Sequence, residues 1–326
     1  MEGILMNAKK RAGNVVRSLM LPVLLYAVFA ILAPQNFVSL IGLRVIITSA
    51  TVYTLIGWGV CFNLVVGTWD FSAGAAIAVA ACLAADAGKS FGFGAMIIVA
   101  MVAVFVCEII TGMVYRLLKI PTLITTIGML LIYETFTSIY KGGKTISLPG
   151  SCKFFATFPN ILILLVIGGI LFEVLYNHTV FGHNVKAVGH GGAVAKMIGL
   201  NPTRIKFLCF VAGGVVLAVA AIAYISYGGA STAKYNFATM SSIFSPMMGV
   251  TVGLALEKYC RLTFGVFIGE ISIRIIAQGL IAIGASSNVQ QIVTGIALLA
   301  VFIFSAVSLK QSENAEKKER LKSLVD

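Results

Sequence analysis

The sequence predicts an all-α polytopic membrane protein of about ten transmembrane helices, within a range of eight to ten, with both termini in the cytoplasm. Three observations predict it. Of 326 residues, 59% are hydrophobic and only 11% are charged, whereas soluble domains carry roughly 25% charged residues. The apolar residues fall into runs of the length a bilayer demands, about 17–25 residues per helix. Basic residues gather in alternate connections, the asymmetry that orients membrane proteins.

Reading apolar runs between polar or Gly/Pro breaks places the spans at about 16–33, 41–66, 72–88, 92–117, 121–139, 159–177, 205–227, 240–257, 262–284 and 288–308. The 41–66 run is long enough to tilt or break. The organisation is a cytoplasmic N-terminus at 1–15, one transmembrane domain at 16–308 and a cytoplasmic tail at 309–326. The longest cytoplasmic connection is 178–206. With the N-terminus inside, 17 of the 24 Lys and Arg residues fall on the cytoplasmic side and five outside, while Arg44 and Arg274 lie within spans. An odd number of spans would put the basic start or the basic tail outside. The start, Lys9-Lys10-Arg11 before an apolar run, also has the layout of a signal peptide. It lacks a clear small-x-small cleavage site and reads as an uncleaved first span. The tail reads as a short solvated helix.

A net charge of +12 on a soluble protein would point to nucleic acid. Here the cations sit where topology needs them, so the expected surroundings are membrane lipid and nucleic acid is not a partner. The six cysteines are scattered without a CxxC pair and read as small membrane-buried residues.

The segment "GHNVKAVGHGGAVAKMIGLNPTRIKF" (182–207) is polar, basic and punctuated by glycine. "AVAKMIG" reads as a short helix stopped by Gly199, and Asn201-Pro202 as the turn into the next span. Two readings stand: a helix along the membrane face on which a partner docks, and a merely solvated loop.

No catalytic constellation is present. An ATPase needs Gly-x-x-x-x-Gly-Lys-Ser/Thr to cradle phosphates. "GGKT" at 142–145 lacks the leading glycine, since residue 138 is Ser, and its loop is predicted outside. His178, His183 and His190 lie five and seven residues apart with no Cys or carboxylate beside them, so they read as interfacial polar residues rather than metal ligands.

Ionisable residues inside spans face a cavity or a partner; here they are Arg44, Glu108, Glu134, Glu270 and Arg274. Glu270 and Arg274, four apart, share a helix face and can pair, and Gln278 continues the stripe. The stripe suits a hydroxylated solute, or fixes helix packing. Asp70, with Trp69 and Ser72, sits at a break between spans. It caps the next helix, with proximity to a solute route as the second reading. The Gly213-Gly214 pair allows close helix packing.

Five stretches together carry a resemblance: "GTWDFSAG" (67–74), "PTLITTIG" (121–128), "KGGKTI" (141–146), "GHNVKAVGHGGAVAKMIGLN" (182–201) and "GLIAIGASSNVQ" (279–290). In order and spacing they resemble the permease subunits of ribose-type, binding-protein-dependent ABC importers, which carry sugars and related small molecules. The resemblance implies a multi-pass protein of the bacterial plasma (inner) membrane that does no chemistry itself. It implies a second permease subunit, the same or different, a cytoplasmic ATP-binding subunit and an extracytoplasmic solute-binding protein. No cofactor is expected on this chain, and ATP-Mg is expected on the ATPase. The short helix becomes a coupling helix, with Gly182, Lys186, Gly189, His190, Ala193, Lys196 and Gly199 as the coupling segment. Asn63, Trp69, Asp70, Ser72, Glu270, Arg274 and Gln278 are the candidates for lining the path. Two departures stand out. His190-Gly191 replaces the family's Asn cap, and "SPMMGVTVGLALEKYCRLTFG" (245–265) lacks most of the glycines usual there, which implies pairing with a different, more typical permease.

The competing classes are a stand-alone secondary transporter or channel and a nucleoside permease of the same type. The first would show inverted repeats with midplane acidic sites, and no clear internal repeat is seen.

Overall fold

The computed structural model describes residues 2–286, 288–290, 292–293, 295–297, 299–300 and 303, with side chains from Arg17 onward. The described chain is almost wholly helical. In order it forms α1 (Glu2–Leu32), α2 (Pro34–Phe37), α3 (Leu40–Val65), α4 (Ser72–Phe91), α5 (Phe93–Leu118), α6 (Thr122–Ile139), β1 (Ile146–Ser147), α7 (Ile161–Asn177), α8 (Val180–His190), α9 (Gly192–Met197), α10 (Pro202–Gly228), β2 (Ala230–Ser231), α11 (Ala238–Leu256) and α12 (Leu262–Ala282).

The first nine predicted spans each coincide with a helix. The predicted tenth, 288–308, is described only in part, and the tail at 309–326 lies outside the described residues. Among the described residues, seven helices are long and apolar enough to cross a membrane; α7 and α8, bent by 67° at their junction, make an eighth if they are one span. The apolar part of α1, Arg17–Leu32, is shorter.

The chain divides into two compact units. One comprises residues 44–247. Its centre is α4, whose Ala-rich surface is buried almost all round against α5, α6 and α10. Small residues let these helices close up. A Cβ on Gly213 would stand 2.7 Å from the Gly59 carbonyl oxygen, and one on Gly214 would stand 2.9 Å from the Glu108 Cβ, as the reading of the glycine pair expects. A two-stranded antiparallel ladder pairs Ile146 with Ser231 and ties the 140–158 connection to the end of α10.

The other unit comprises the chain up to residue 43 and from 248. Here α1 packs on α12. Phe29 covers Gly279, where a Cβ would meet its ring at 2.3 Å, and Tyr26, Phe29 and Phe37 form a ring cluster with centroids 5.0 and 5.8 Å apart. Asn36 Nδ2 donates to the Ala282 carbonyl at 3.2 Å.

One reading needs correction. The 178–206 connection is not a loop bearing one short helix: it holds two helices, α8 and α9. Gly182 and Gly189 suggested punctuation, but they lie inside α8, where neighbouring backbone comes too near for a side chain. A Cβ on Gly182 would lie 2.1 Å from the Tyr176 carbonyl oxygen, and one on Gly189 would lie 2.4 Å from that of Val65. Thr179 turns the corner from α7, donating to the Leu175 carbonyl at 2.6 Å and accepting from the Gly182 N–H at 3.1 Å.

Candidate functional site

The short helix read from the sequence is present as α9. Gly191 stands at its N-cap without a side-chain partner. Its end is a Schellman motif: Gly199 takes φ +84°, its N–H donates to the Lys196 carbonyl at 3.0 Å and the Leu200 N–H to that of Ala195 at 3.0 Å. Asn201 then caps α10, accepting from the Arg204 N–H at 3.2 Å, with Pro202 in the first turn.

Ala195 is buried, while Val194, Met197 and Ile198 are 63%, 86% and 65% exposed. Positions i, i+3 and i+4 share one face, so α9 presents an apolar stripe away from the rest of the fold. Ala193 and Lys196 are exposed beside it. Lys186 turns back instead, donating to Asn177 Oδ1 at 2.7 Å and lying 4.3 Å over the Tyr176 ring. His183 and His190 each engage a carbonyl one turn back, of Thr179 at 2.8 Å and Lys186 at 2.7 Å.

The break between α3 and α4 gathers four of the proposed path residues. The Thr68 N–H and hydroxyl both donate to the Asn63 carbonyl at 2.9 Å. Asn63 Nδ2 donates to Asp70 Oδ2 at 3.2 Å, and Asp70 Oδ1 accepts from the Ser72 N–H at 3.1 Å and hydroxyl at 2.6 Å. Asp70 therefore serves the first N–H of α4, as the capping reading holds, and Ser72 is its donor. Trp69 stacks on Phe71 at 6.0 Å, and its carbonyl accepts from Thr126 of α6 at 3.1 Å.

A polar chain runs on into the helices. Ser72 reaches Thr111 at 3.4 Å, Thr111 meets the Tyr133 hydroxyl at 3.2 Å, and that hydroxyl donates to the Cys107 carbonyl at 2.7 Å. Glu108 stands beside Asp70, fully buried, and the two carboxyl groups face each other within hydrogen-bonding reach.

Glu270, Arg274 and Gln278 lie on α12, in the other unit. Glu270 is fully buried, and its oxygens accept no hydrogen bond, from Arg274 or from any other described residue. The arginine acts on it as a nearby charge. Gly249 of α11 makes room for the carboxylate; a Cβ there would lie 2.0 Å from Glu270 Oε1.

Sequence reasoning left Glu134 without a partner. It reaches from α6 to the start of α11, accepting from the Phe237 N–H at 3.0 Å, the Thr239 N–H at 2.7 Å and the Thr239 hydroxyl at 2.6 Å. It also missed Asp86, which accepts from the Tyr140 hydroxyl at 2.8 Å and pairs with Lys141. Neither has a local signal, because the partners come from distant segments.

Residues 42–302 match the family described as branched-chain amino acid transport system permease component. The chain is 29% identical to the galactose/methyl galactoside import permease protein MglC of Salmonella typhimurium, over 91% of this chain and 94% of that one. It is 24% identical to the probable ABC transporter permease protein YphD of Escherichia coli strain K12, over 93% of each chain. It is 26% identical to the autoinducer 2 import system permease protein LsrC of Yersinia pseudotuberculosis, over 86% of this chain and 81% of that one. With a family match from the third helix to beyond the twelfth, this chain belongs to the branched-chain amino acid transport system permease components.

Proposed function

We propose that this chain is the membrane permease of an ABC importer and forms half of the translocation path for a sugar or sugar-like polar solute. The observation that carries the reading is the outward apolar stripe of α9, Val194, Met197 and Ile198, set on a short, sharply capped helix. Such a stripe is costly in water and suits a groove on a cytoplasmic ATP-binding subunit, to which the hydrolysis of ATP-Mg belongs. Likeness to the galactose/methyl galactoside permease over nine-tenths of both chains supports the solute class.

Ten spans with both termini inside the bacterial plasma membrane best fit the distribution of basic residues. A second permease, the same or different, completes the path, and an extracytoplasmic binding protein delivers the solute. Asn63, Trp69, Asp70, Ser72, Glu270, Arg274 and Gln278 supply its polar lining, since hydroxylated solutes require hydrogen-bond donors and acceptors along the way. The deciding experiment is uptake of labelled monosaccharides by cells expressing the chain with its ATP-binding and solute-binding partners. Uptake that requires the ATP-binding subunit is expected. Uptake driven by an ion gradient in its absence would establish a secondary transporter instead.

A further inference from the structure

Between α1 and α12 runs a groove of about 790 Å³, distinct from every group assigned above. Its walls include Phe264 and Ile271, one end lies at Ser18 and Cys260, and the other at Ala27 and Ile275. On the α1 side it runs from Ser18 to Ala27, nine steps or about 14 Å at the helical rise of ~1.5 Å per residue. That is about half of the ~30 Å hydrocarbon core, the depth of one leaflet. The deep end lies beside the Tyr26–Phe37–Phe29 ring cluster.

The shallow end is basic. Arg17 precedes Ser18 and lies 5.9 Å over the Tyr259 ring. Arg261 follows Cys260, and Lys258 is two residues before it; all three cations are exposed, and Glu257 is the exposed acid beside them among the described residues. Apolar walls, one-leaflet depth and a cationic mouth are three features that a single ligand class meets together. We propose that this groove binds one acyl chain of an anionic phospholipid, with the headgroup held by Arg17, Lys258 and Arg261.

Native mass spectrometry of the detergent-purified importer, titrated with phosphatidylglycerol or with phosphatidylcholine of matched chains, tests this. Phosphatidylglycerol is expected to be retained selectively. Each of Arg17→Gln, Lys258→Gln and Arg261→Gln should weaken its retention about fivefold, the factor for one cation near an anionic surface, and leave phosphatidylcholine unchanged. Ala27→Trp, which fills the deep end, should reduce retention of both. Equal retention of the two lipids, or charge variants that retain phosphatidylglycerol as well as the parent, would overturn the proposal. So would cross-linking of Cys260 to a second polypeptide in native membranes, which would make the occupant a protein.

Discussion

Thr239 donates to Glu134 twice, through its N–H at 2.7 Å and its hydroxyl at 2.6 Å, so a carboxylate carried by α6 caps α11. A helix start leaves N–H groups unpaired and carries partial positive charge, and a buried anion answers both needs. The chain enters α11 through Asn236 and Phe237, both in the left-handed region with φ 58° and 60°. Phe237 also donates to Glu134. Glu134→Ala leaves buried donors without an acceptor and is expected to cost about 3 kcal/mol. Glu134→Gln keeps one acceptor oxygen and should cost clearly less. Thermal unfolding in detergent measures both, and equal losses would refute the capping role.

Glu108 and Asp70 place two buried carboxyl groups side by side. An amide at 108 keeps the shape and brings an N–H toward Asp70, while removing one acid from the pair. Glu108→Gln is therefore expected to match or exceed the parent in thermal stability. Asp70→Ala removes the acceptor for Ser72 at the start of α4 and should cost about 1–2 kcal/mol. A Glu108→Gln variant as unstable as Asp70→Ala would contradict this account.

Met197 is 86% exposed, so a charge placed there disturbs no described packing. Met197→Asp is expected to leave membrane insertion and stability unchanged while association with the ATP-binding subunit falls at least tenfold, measured by co-purification. Deleting residues 190–199 should abolish it. Normal co-purification of either variant would remove the docking assignment.

Gly249 leaves Glu270 the room it occupies, and a Cβ would overlap Oε1. Gly249→Ala must displace the carboxylate and is expected to cost about 1–3 kcal/mol. Glu270→Ala and Arg274→Ala should impair uptake with association of the ATP-binding subunit intact. Full uptake by both would leave the pair without a part in the path.

The sequence made the helices legible because each span must bury its own backbone polarity, which enforces long apolar runs. It also showed the stop at Gly199 and the restart at Asn201-Pro202, because both are written in adjacent residues. Helix α8 was hidden, since a glycine spared for a nearby carbonyl looks the same in sequence as a glycine that breaks a helix. Gly189 is such a case, with Val65 far away along the chain. Glu134 was visible as an acid in a span, but its donors lie more than 100 residues on, at Phe237 and Thr239. For Glu270, spacing suggested a pair with Arg274, and the arginine acts on it as a nearby charge. The shared face is real, but the carboxylate turns to the space beside Gly249.

The connections of α9 carry a mechanical consequence. Gly191 alone separates it from α8, and residues 198–201 alone separate it from α10. Four extended residues reach about 14 Å at most, and the Schellman bonds already take up part of that length. A force applied to α9 thus meets almost no slack before it acts on the foot of α10. That helix runs 27 residues to β2 on the far side of its unit. The linker stiffness that keeps α9 in place also makes it a short crank on a long shaft.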